Sequence, residues 1–183
     1  MKSAKTLYGI DSHDGSLVVQ LLELPHKILA HNDIDGLEQM VLHELGHDHH
    51  FGLSKAGYLI DNPEFDCLKG IAGYCKDECH RHKEDLWQEP HLFASDMQDA
   101  PFHQKVSHFL DASISRKNDG SAFTGDSLVA LAENLGMHNP GFLTWKMRHG
   151  NNGILLFQEG DSLEHTARRR DLLNHFAALL SLC

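Results

Sequence analysis

His43-Glu44-Leu45-Gly46-His47 places two imidazoles four positions apart with a carboxylate beside the first. On a helix, residues i and i+4 lie one above the other on the same face, so both rings can bind one zinc ion while Glu44 stands next to it. Zinc brings the pKa of a bound water down to about 7, and a neighbouring carboxylate can take its proton and pass it to a leaving amine, as peptide hydrolysis requires. The segment therefore assigns His43 and His47 as metal ligands, Glu44 as general base and Zn2+ as cofactor. The simpler alternative is a surface helix with stacked histidines, or a metal-storage tract that also draws on His49 and His50.

A catalytic zinc needs a third protein ligand and leaves one position for water. Glu89 is the first candidate, followed by His91 and Glu84, because all three lie on or just before a segment that reads as the next helix.

The elements that would position these residues are read from periodicity. Leu37, Met40, Val41 and Leu45 fall on one helical face, with Asp33 or Asp35 as N-cap and Gly52 as a stop. Upstream, Ser16 to Leu22 is apolar and β-branched after an Asp14-Gly15 turn, and Lys27 to His31 follows Pro25; together they predict an antiparallel ribbon. Gly57 to Gly73 reads as irregular. Helices are expected around Leu86 to Met97 with Pro90 near the start, at Phe102 to Ile114, at Ser127 to Leu135, briefly at Phe142 to Met147, and at Leu163 to Leu182, with a loop from Asn118 to Asp126.

Composition bounds the rest. The chain has 183 residues, 41% hydrophobic and 23% charged, which suits one compact domain. A formal net charge of −10 opposes direct nucleic-acid binding and attraction to anionic membranes. The basic run Arg168 to Arg170 reads as a solvated helix face. No segment reads as a membrane span or signal peptide, so a cytoplasmic location is expected. The four cysteines, Cys67, Cys75, Cys79 and Cys183, are expected as thiols; a structural zinc on Cys67, Cys75, Cys79, His80 and His82 has poor spacing.

With these residues in hand, the chain resembles the ImmA/IrrE metallopeptidases, gluzincin-like intracellular zinc proteases of bacteria and phages. Leu42 to His47 looks like the active-site helix of that family, preceded by a strand pair. Glu89-Pro90-His91-Leu92-Phe93-Ala94-Ser95-Asp96-Met97 looks like its second signature, and Leu128 to Met147 is similar to the helix-turn-helix-like segment that follows the protease core. The resemblance spans about residues 8 to 148. It implies an α+β fold with a small antiparallel sheet against the active-site helix and a mainly helical C-terminal part. The core would cover about 8–115 and the extension about 120–183 of a single domain. It also implies a ligand glutamate on the second helix and limited cleavage of a protein substrate, a transcriptional repressor or antitoxin. Pro90 interrupts a stretch usually continuous in the family, Trp87 stands where a glutamate is common, and a long insert separates His47 from Glu89.

Two other readings use the same residues. His47-Asp48, joined by His26 or His31, would suit an HD-type phosphohydrolase or oxygenase with iron or manganese. A non-enzymatic regulator would bind a partner or DNA through Leu128 to Met147, although that segment offers few basic residues.

Overall fold

The computed structural model describes residues 12–78, 86–111, 123–160 and 167–183. The first element is helix α1, Ser12–Ala30, not the expected strand ribbon. Val18, Val19 and Pro25 favour extended backbone locally, but Leu21, Leu24 and Ile28 recur at helical spacing and are all buried. Burial of that stripe outweighs strand propensity and the roughly 3 kcal/mol that a proline costs inside a helix.

Helix α2, Leu37–Gly46, carries the HELGH segment and buries Leu37, Gln39, Met40, Val41, Leu42, His43, Leu45 and Gly46. Its N-cap is Gly36 at φ 86°, not Asp33 or Asp35. It ends at Gly46, well before Gly52: His47 is the C-cap, with extended backbone at φ −60° and ψ 145°. The chain then turns tightly, the N–H groups of His50 and Gly52 donating to the His47 carbonyl at 2.9 and 3.0 Å.

The turn feeds β1, Leu53–Asn62, which pairs antiparallel with β2, Cys67–Cys75. This hairpin replaces the expected irregular stretch. Its glycines mark close backbone approach instead of a loop. A Cβ at Gly70 would lie 1.8 Å from the Val106 carbonyl oxygen, and one at Gly73 would lie 2.9 Å from that of Phe102. Both contacts come from α4, Pro101–Ser107, which is shorter than expected and leads into the two-residue strand β3, Leu110–Asp111. Between hairpin and α4 lies α3, Pro90–Gln98, with Pro90 in its first turn, where a missing N–H costs nothing.

Helix α5, Gly125–Asn134, starts on a Thr124/Ser127 capping box. Gly141–Lys146 is a strand, β4, where a short helix was expected, and Asn152–Glu159 is β5. Leu128 to Met147 is therefore helix followed by strand and not helix-turn-helix. Helix α6, Ala167–Ala177, and a 3-10 segment, Ala178–Leu182, close the chain. Arg169 of the basic run is buried and Arg170 stacks over Phe157 at 5.9 Å, so this run is not wholly a solvated face.

The protein is α+β. Its antiparallel sheet has the order β3-β2-β1-β5-β4, so strands from both parts of the chain form one sheet. Both faces are covered, and β5 shows how: Leu155 and Phe157 enter one core while Ile154 and Leu156 enter the other. The first core joins Ala56, Tyr58, Ala72 and Tyr74 to α1, α2, α3 and the C-terminal helix; the second joins Leu59 and Leu68 to α4 and α5. Among the described residues, no helix is long and apolar enough to cross a membrane. Cys67, Cys75 and Cys183 are thiols, and Cys79, His80, His82 and most of the 118–126 loop lie outside the described residues.

Helix α2 reaches the sheet through Gly46, where a Cβ would fall 2.2 Å from the Tyr74 ring. Tyr74 is itself buried. Gly46→Ala is expected to destabilise the fold by about 1–3 kcal/mol through overpacking; an unchanged denaturant midpoint would show that the ring yields freely.

Candidate metal centre

His43 lies in the last turn of α2, 8% exposed, in an aromatic corner. Its ring stands edge-on to Phe93 of α3 at 5.3 Å and to Tyr74 of β2 at 5.8 Å. His47, just past the helix end, has its ring centre 6.2 Å from that of His43, 5.0 Å from His49 and 6.0 Å from His50. The His49 backbone N–H donates to His47 Nδ1 at 3.3 Å. Burial, then the neighbouring His49 and His50, hold the His47 pKa below its usual value against the opposing pull of Glu44 and Asp48.

Glu44 is the best-held side chain of the group. Its Oε1 accepts the Trp87 indole N–H at 2.5 Å and has Lys27 Nζ at 3.7 Å. Its Oε2 faces His50 Nδ1 at 3.4 Å. That nitrogen is also 2.6 Å from the Glu44 main-chain oxygen, which can only accept, so the His50 Nδ1 proton is committed there. Trp87 is buried, with Lys27 Nζ 5.6 Å from its ring centre and the His31 ring tilted against it at 5.6 Å.

The donor chemistry suits zinc: two imidazoles with a carboxylate alongside. Ring centres of two histidines on one tetrahedral zinc stand about 5 Å apart, given metal–nitrogen bonds near 2 Å. His43 and His47, at 6.2 Å, must close by about 1 Å to meet that geometry. His47 is exposed beyond the helix end whereas His43 is buried, so the His47 ring has the more room to move.

The third-ligand candidates are spread out. Glu89 is the exposed N-cap of α3, one helical turn before Phe93, the residue that meets His43. His91 is exposed on the first turn of α3, and Glu84 lies outside the described residues. Among the described residues, no group of three or more His, Cys, Asp or Glu side chains is gathered to hold a metal ion. Residues of the HD-type reading also diverge: His26 is exposed, His31 packs on Trp87, and Lys76 Nζ contacts both Asp48 oxygens at 2.6 and 2.8 Å.

Trp87 and Lys27 were not assigned roles from the sequence, and His50 only as part of a metal-storage tract. Trp87 and Lys27 reach Glu44 from other elements, so no local spacing marks them. No protein-family model matches the chain, and no curated protein matches it.

A second polar group flanks the same helix. Gln39 Nε2 lies 2.7 Å from His103 Nδ1, which also accepts the Gly73 N–H at 3.3 Å. Burial, followed by His108, lowers the His103 pKa from 6.5, as burial lowers that of His47. The unfolded chain then binds more protons than the folded one between the lowered and ordinary values. Stability is accordingly full above pH 6.5 and falls as pH drops through the lowered values. His103→Gln should flatten this acid limb in pH-dependent denaturation; an unchanged slope would show that His103 does not contribute.

Proposed function

We propose that the chain is a zinc-dependent peptidase in which His43 and His47 hold the metal and Glu44 is the general base. One observation supports this above the others: Glu44 is held by Oε1 at the very turn where the two histidines stand, with Oε2 facing a His50 nitrogen whose proton is engaged elsewhere. Zinc, when bound, supplies an acidified water and polarises the scissile carbonyl. Glu44 takes the proton of the attacking water at Oε2 and delivers it to the leaving amine, while Trp87 and Lys27 occupy Oε1. His43 is fixed by Phe93 and Tyr74, and Glu89, one turn from Phe93, is the third ligand we favour.

The ImmA/IrrE resemblance now rests on the HELGH segment and the Glu89 to Met97 signature. The strand pair and the helix-turn-helix-like segment that accompanied them are a helix and a helix-strand unit. With Lys27–Ala30 helical, that stretch offers no strand edge to an extended substrate. A repressor or antitoxin as substrate is proposed from the two remaining segments. Leu128 to Met147, the segment through which the regulatory reading would bind a partner or DNA, is helix then strand.

The test is cleavage of a diverse synthetic peptide library by zinc-loaded wild type and Glu44→Gln, read by mass spectrometry. Wild type should cut a subset of peptides, and Glu44→Gln should be slower by about 10²-fold or more. Equal cleavage by both proteins would reject Glu44 as base. Zinc binding with no cleavage by either would favour a metal-holding histidine cluster.

A further inference from the structure

We infer that Trp87 is a positioning residue, fixing one oxygen of Glu44 so that the other is free to take a proton; this rests on the peptidase reading above. A glutamate on the last turn of a helix has three side-chain torsions and, if unheld, would present either oxygen in several orientations. Here the Trp87 indole N–H sits 2.5 Å from Oε1. An indole N–H is a donor only and does not exchange its proton with a carboxylate near neutral pH. It can therefore orient Glu44 without protonating it.

The indole is in turn held. Lys27, in the last turn of α1, and His31, just past its end, both lie against its ring at 5.6 Å. The ring is buried, 7% exposed, so its N–H has little choice of acceptor. The partition of the two carboxylate oxygens completes the case. Oε1 takes Trp87 and Lys27, whereas the group facing Oε2, His50 Nδ1, is 3.4 Å away and directs its proton to a main-chain oxygen at 2.6 Å.

The chain has two tryptophans, and the second provides an internal reference: Trp145 donates its indole N–H to Ser181 Oγ at 2.6 Å. In 1H–15N spectra, Glu44→Gln should move the Trp87 indole signal upfield, as a charged acceptor becomes neutral, and leave that of Trp145 in place. Cobalt-substituted protein then separates positioning from packing. Trp87→Phe should keep the cobalt stoichiometry but shift the visible absorption bands in the direction that Glu44→Gln shifts them. A Trp87 signal indifferent to Glu44→Gln overturns the inference, as do cobalt bands unchanged in Trp87→Phe but altered in Glu44→Gln. Should Trp87→Phe fail to fold, the Glu44→Gln signal shift decides alone. A wild type that binds no cobalt removes the metal reading itself and the inference with it, an outcome told apart by measuring cobalt content first.

Discussion

The contact between Gly46 and the Tyr74 ring sets the geometry on which the rest depends. Only a residue without Cβ lets the last turn of α2 settle against β2 at this distance. Most of α2 is buried, so the elements around it take their positions from it: α1 and the C-terminal helix contribute to the same core, and α3 brings Phe93 to His43. The same tyrosine that Gly46 accommodates also presents its ring to His43. One residue of β2 thereby sets both how deeply the helix sits and which way its first imidazole faces.

A second constraint is electrostatic. Glu44 is 17% exposed, and a polar side chain withdrawn that far from water is costly unless it finds partners within the protein. The fold supplies two at Oε1: an indole donor from the segment before α3 and an ammonium from α1. The helical form of α1 also bears on where Lys27 and His31 lie. In a strand, Lys27 and His31 would also share a face, but about 13 Å apart by strand rise and so out of reach of a single indole; in helical register they share it.

How far the sequence foretold this depends on the range over which each feature is encoded. The HELGH segment was legible as a candidate because the roles proposed for it follow from local spacing, and α2, α3 and α5 were legible from apolar stripes and from Pro90 at a first turn. Helix α1 was misread since Val18, Val19 and Pro25 signal extended chain locally, and the burial of Leu21, Leu24 and Ile28 is settled only by packing. The glycines of β1 and β2 read as loop because the need for them lies in α4, some thirty residues later for Gly73 and Gly70. Trp87 drew notice only for standing where a glutamate was anticipated; its bond to Glu44 spans 43 residues and leaves no local trace.

The central claim is that His43 and His47 together hold zinc, and it is tested most directly by native mass spectrometry of the untagged chain after equilibration with zinc. One zinc per wild-type chain, lost in both His43→Ala and His47→Ala, is the expected result. Wild type without zinc, or with zinc retained in either variant, would contradict it.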